Sequence, residues 1–166
     1  MSSGKFSILI LTIGIPGSGK TRWVKKYMQK HKLTYVISTD EIRKELTGHE
    51  QCIDPLMNDM IHDEARKRVK KILDDPNSTN GAMGPEIIVD STNCELNEWI
   101  KYKELGASVM RAIVFERTPE QAFENEKNRE RKVPLEILKM KYDQYNTFKI
   151  YLTKIFNMID YIHHEE

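Results

Sequence analysis

Residues 8–21 read ILILTIGIPGSGKT. The run Ile8–Ile13 has the near-continuous apolar character of a strand buried on both faces, as central strands of parallel sheets are. It delivers the chain into Gly14-Ile15-Pro16-Gly17-Ser18-Gly19-Lys20-Thr21, which fits the phosphate-binding pattern G-x-x-x-x-G-K-[ST]. Glycines at 14, 17 and 19 allow backbone N–H groups to turn inward onto phosphate oxygens. A helix beginning near Lys20 adds the positive end of its dipole. Gly14, Pro16, Gly17, Ser18, Gly19, Lys20 and Thr21 are thus the candidates for holding a nucleoside triphosphate such as ATP. Lys20 would reach the β- and γ-phosphates, and the Thr21 hydroxyl would face Mg²⁺.

Outward from this stretch, strands and helices alternate. Trp23, Val24, Tyr27 and Met28 recur at helical spacing up to His31. Tyr35–Ile37 reads as a second strand, and Ser38-Thr39-Asp40-Glu41 supplies a cap and first-turn acids for a helix closing at Gly48. A longer helix places Leu56, Met57, Met60, Ile61, Ala65, Val69, Ile72 and Leu73 on one face, with a basic stripe from Arg66 to Lys71 expected in solvent. The segment 74–85, DDPNSTNGAMGP, gathers turn formers without periodicity and predicts a mobile loop at the sheet edge away from the phosphates. Ile87–Val89 is a third strand ending in Asp90-Ser91-Thr92-Asn93, and a helix from about Asn97 turns Trp99 and Ile100 inward. Val109–Phe115 is a fourth strand. Thr118-Pro119-Glu120-Gln121 combines a capping box with proline at the first helical position. Pro134 opens a helix whose Leu135, Leu138, Tyr142, Tyr145, Phe148 and Leu152 face the core, and Met158–Ile162 adds an edge strand.

This alternation predicts parallel βαβ units, hence an α/β fold of three layers around a mainly parallel sheet of four to five strands. Ligands of such sheets bind beyond the carboxyl ends of the strands. The chain's 166 residues suit a single domain over 1–166. With 26 Lys+Arg against 25 Asp+Glu, no global field singles out nucleic acid as a partner. Cys52 and Cys94 lack metal-ligand or CxxC spacing, which points to a reducing, cytoplasmic setting. No apolar run approaches the ~20 residues of a membrane span.

Three clusters are expected to converge on the ligand-binding edge: the phosphate loop, Asp40 with Arg43, and Asp90 with Asn93. Asp40 and Arg43 are three residues apart and share a helix face. A carboxylate that accepts a hydroxyl's proton, beside a guanidinium that grips an anionic group, suits phosphoryl transfer to a hydroxyl; the same spacing also suits a cap with an ion pair. Asp90 ends the strand expected to neighbour the phosphate-loop strand, where an acid can meet Mg²⁺. Arg129 and Arg131 lie in a charged segment within a lid of about 117–133, suited to closing over a triphosphate.

These residues resemble the polynucleotide 5′-hydroxyl kinases of phage and bacterial nucleic-acid repair, within the wider group of small P-loop kinases. The resemblance runs from about Ile8 to Tyr145. It rests on LTIGIPGSGKTRW, on Thr39-Asp40-Glu41-Ile42-Arg43, on Asp90-Ser91-Thr92-Asn93, and on the arginine-bearing segment before Val133-Pro134. It implies ATP-dependent phosphorylation of a 5′-OH end of DNA or RNA, with Asp40 as general base, Arg43 on the acceptor's phosphate and lid arginines on ATP. The phage enzymes also carry a phosphatase domain after the kinase, and here the expectation departs from them: a kinase unit alone over 1–166. In those enzymes the strand-end acid directly precedes Thr-Asn, whereas Ser91 intervenes here, so that role is either filled by Asp90 from a shifted backbone or vacant. Two other readings use the same loop: a kinase of a nucleoside, sugar or hydroxymethylated base, and an ATP-dependent switch or assembly factor.

Overall fold

Residues 5–49, 55–81, 83–127 and 133–163 are described by a computed structural model. Five strands form one sheet: β1 (Ile8–Ile13), β2 (Tyr35–Ser38), β3 (Glu86–Asp90), β4 (Val109–Phe115) and β5 (Met158–Ile162). Their order is β2-β3-β1-β4-β5, and every pairing is parallel. Strand β1 is central, with Leu11 opposite Val89 on one side and Ile13 opposite Val114 on the other. Ser38 pairs with Asp90, so β2 and β3 end at the same level. The carboxyl ends of β1, β2 and β3 therefore release the phosphate loop, Asp40 and Asp90 along one edge.

The helices are α1 (Lys20–Lys30), α2 (Thr39–Thr47), α3 (Pro55–Asp74), α4 (Leu96–Lys103), α5 (Pro119–Asn125), α6 (Leu135–Phe148) and α7 (Leu152–Ile155). They split unequally over the two sheet faces. Ile10, Ile88, Ile113 and Phe115 meet Val24 and the half-buried Trp23, Tyr27 and Met28 of α1. Alternate residues Leu9, Leu11, Ile13, Ile87, Val89, Ala112 and Val114 point the other way, into a larger core with Ile42, Ile61, Ala65, Val69, Trp99, Tyr102 and Leu138. Both faces are covered, which is why the strands read as unbroken apolar runs. No described helix is long and apolar enough to cross a membrane.

The expected cap signals form. Ser38 Oγ accepts from Glu41 N–H, and Thr118 with Gln121 makes the reciprocal capping box. Three packing expectations need correction. On α3, Ile61, Ala65, Val69 and Leu73 are buried, whereas Leu56 and Met60 are exposed, because the inward stripe follows a narrow i,i+4 series. Ile100 is exposed beside the buried Trp99, since adjacent helix positions point about 100° apart. Arg66 is not a solvated stripe residue: Nη1 donates to Glu98 Oε2 at 2.7 Å, and Nη2 is paired with Asp63. Segment 74–85 precedes β3, at the edge opposite the phosphate loop. Its described residues, 74–81 and 83–85, carry hydrogen bonds, with Lys5 Nζ donating to Pro76 O and Thr79 Oγ1 to Met83 O.

Candidate active site

The phosphate loop is held from three sides. Gly14 N–H donates to Thr92 O at 3.0 Å, linking it to the chain beyond β3, and Ser18 N–H closes a turn onto Ile15 O at 3.2 Å. Gly19, in the left-handed region, starts α1 as its N-cap. Gly17 has φ +82°, and a β-carbon there would stand 2.6 Å from Ala122 O of α5. Only glycine lets α5 approach so closely. Asn125 Nδ2 completes that contact by donating to Gly17 O at 3.3 Å.

Lys20 lies inside this cradle, buried, its Nζ donating to Ile15 O at 2.7 Å and reaching Ser18 Oγ at 3.5 Å. Burial pushes its ammonium below the ordinary lysine range, opposed by the carboxylates of Asp90, Asp40 and Glu126. A buried cation facing three acids is poised to exchange part of that field for phosphate oxygens. The Thr21 hydroxyl donates to Asp90 Oδ2 at 3.1 Å. Asp90 is itself buried, which raises its pKa, while Lys20 and the Thr21 hydrogen bond pull it back down. A hydroxyl and a carboxylate side by side at the loop fit Mg²⁺, which takes one or two protein oxygens and completes its shell with phosphates and water. Among the described residues no group of three or more His, Cys, Asp or Glu side chains could hold a metal.

On α2, Arg43 Nη1 donates to Asp40 Oδ1 at 2.6 Å, as their spacing implied. Arg43 is 8 % exposed, and its buried Nε has no hydrogen-bond partner among the described residues. Asn93 differs from expectation. It turns into the core at φ 45°, its Nδ2 donating to Thr12 O at 2.8 Å and its carbonyl accepting from Trp99 Nε1 at 2.5 Å. It clasps β1 to β3 and does not face the edge. Arg129 and Arg131 lie outside the described residues.

A cleft of about 610 Å³ opens in front of the loop, lined by Gly17, Lys20, Trp23, Phe115, Arg117 and Glu126 among others. Arg117 and Glu126 carry no local motif. They arrive because β4 ends beside β1 and α5 packs back onto Gly17, a long-range arrangement that the lid assignment enclosed without resolving.

A parallel sheet whose central strand runs through a glycine cradle onto a helix beginning with a buried lysine defines a P-loop kinase-like domain. The chain belongs to the AAA domain family, whose model matches residues 9–146. Solved structures of similar fold include a chain in a structure of the Pnkp1/Rnl/Hen1 RNA repair complex, with TM-score 0.69 and 18 % identity, covering 88 % of this chain and 46 % of that one. A second Pnkp1/Rnl/Hen1 structure gives TM-score 0.59 and 19 % identity over 78 % of this chain and 42 % of that one. A gluconokinase from Sinorhizobium meliloti 1021 gives TM-score 0.61 and 12 % identity over 97 % and 86 %. The chain spans less than half the length of the repair-complex chains it matches. These likenesses are of fold, and they agree with the polynucleotide kinase-like resemblance at that level.

Proposed function

We propose that this protein is an ATP-dependent kinase that transfers the γ-phosphate to the 5′-hydroxyl end of a polynucleotide, in a nucleic-acid repair setting in the cytoplasm. The observation that carries the reading is Arg43, a buried guanidinium bonded to Asp40 at 2.6 Å on the edge that also holds Lys20, with a buried Nε–H that has no partner among the described residues. An arginine so placed suits an anionic group on the acceptor, and the fold likeness to a chain of an RNA repair complex supports that direction.

In this reading the cradle and Lys20 bind the β- and γ-phosphates. Asp40 accepts the proton of the acceptor hydroxyl as its oxygen bonds to the γ-phosphorus and the bond to the bridging oxygen breaks, releasing ADP. Arg43 orients the acceptor through its phosphate. Thr21 and Asp90 would hold Mg²⁺, which neutralises charge on the β,γ-phosphates when bound. Arg129 and Arg131 remain proposed lid residues.

The gluconokinase likeness, which covers most of both chains, favours a second reading in which a small neutral hydroxyl compound is the acceptor. Measured kcat/KM for a nucleoside, its 3′-phosphate and a short 5′-OH oligonucleotide separates the two. A charge-assisted contact of about 1.5–3 kcal/mol makes the 3′-phosphate roughly ten- to a hundredfold better than the nucleoside. Equal values for those two acceptors overturn the polynucleotide reading. No transfer to any hydroxyl acceptor leaves an ATP-binding switch.

A further inference from the structure

The guanidinium of Arg43 is held from two directions. Its own helix supplies Asp40 to Nη1, and Asn58 of α3 accepts from Nη2 through Oδ1 at 3.4 Å. Asn58 begins a polar row on α3 that continues one and two turns later with His62 and Arg66. At the far end of that row Glu98 and Asp63 bond Arg66 and not Arg43. Among the described residues Arg43 therefore has one anionic tether and one neutral tether.

That asymmetry matters if Asp40 works on a hydroxyl. A carboxylate oxygen that turns to accept the hydroxyl's proton loosens its grip on Arg43, and a buried arginine released from one arm would lose its aim. An amide oxygen on the other arm keeps the fork oriented while leaving its positive charge uncancelled. A second carboxylate there would neutralise the guanidinium and compete with any phosphate. We propose that Asn58 is a positioning residue that sets selectivity for an acceptor bearing a phosphate beside its reactive hydroxyl. The proposal rests on the reading of Arg43 as the acceptor-anion contact.

The test is steady-state kinetics of the full chain with Asn58→Ala, Asn58→Asp and Asn58→Gln on a nucleoside and its 3′-phosphate. Asn58 is only half-buried near the start of α3, so these variants are expected to fold, and circular dichroism checks it. Asn58→Ala should raise KM for the 3′-phosphate about tenfold, with the nucleotide KM and the rate on bare nucleoside within about twofold of wild type. Asn58→Asp should remove the preference for the 3′-phosphate, and Asn58→Gln should restore part of it. A purely structural role would move both acceptors together and would not rank Asp below Ala. Retained wild-type preference in folded Ala and Asp variants overturns the role of Asn58 alone. Equal use of the two acceptors by the wild-type protein overturns the acceptor reading and Asn58's role with it.

Discussion

At the residue scale, Asp90 holds the sharpest conflict between stability and function. Its buried carboxylate has a raised pKa, so the folded state resists its ionisation despite Lys20 and Thr21 nearby. The folded protein then binds more protons than the unfolded one between the ordinary aspartate pKa and the raised value. This contribution to stability is full below the ordinary aspartate pKa and is lost as pH rises through the raised value. Asp90→Asn is therefore expected to melt at a higher temperature than wild type at pH 7, while losing about 10²–10³ of its Mg²⁺-dependent turnover. A variant that melts lower and turns over normally would show Asp90 to be a structural acid. Lys20→Ala should leave the fold intact and cost about 10²–10³ in rate by removing the charge on the β,γ-phosphates; near-native turnover would exclude that role.

At the scale of elements, the contact of α5 with the phosphate loop decides the shape of the nucleotide cleft. Gly17 and Gly48 have nearly the same positive φ, +82° and +80°, yet a β-carbon at 17 meets Ala122 O at 2.6 Å while one at 48 meets nothing within 4 Å. Each Gly→Ala change costs the left-handed backbone strain of about 1–2 kcal/mol. Gly17→Ala must in addition push α5 away, breaking the Asn125 bond to Gly17 O. Thermal melts should show both variants destabilised. Only Gly17→Ala should weaken nucleotide binding, by about tenfold or more, as read by titration of an ATP analogue against Trp23 fluorescence at the cleft. Equal nucleotide affinity in the two variants would show that α5 does not shape the site.

At the scale of the whole molecule, His62 joins four helices. It lies on α3, partly buried, with no hydrogen bond to its Nδ1 among the described residues. Glu98 of α4 faces it at 4.0 Å, with the charges of Lys141 of α6, Arg66 of α3 and Arg43 of α2 around it. Burial lowers its pKa, the three cations push the same way, and Glu98 opposes them. Because the folded state holds this imidazole neutral, stability is fully present above the unfolded value of about 6.5 and is lost as pH falls below it. Urea midpoints at pH 7.5 and 5.5 should differ more for wild type than for His62→Gln. An identical difference in both proteins would remove His62 from the acid limb.

Much of this architecture is readable without coordinates because it is local. The apolar run Ile8–Ile13, the glycine spacing to Lys20, the caps at Ser38 and Thr118 and the i,i+3 pair Asp40–Arg43 all act within a few residues, where chain connectivity fixes the geometry. What only the tertiary structure decides is which distant side chains meet that frame. Thr12 and Val89 must be neighbours before Asn93 is seen to be a core clasp, and α3 must cross α2 before Asn58 and His62 reach the neighbourhood of Arg43. Glu126 and Arg117 enter the cleft only because β4 lies next to β1. None of these pairs has a short-range signal: each depends on the strand order, and strand order is set by the joint burial of both sheet faces, a property of the whole chain.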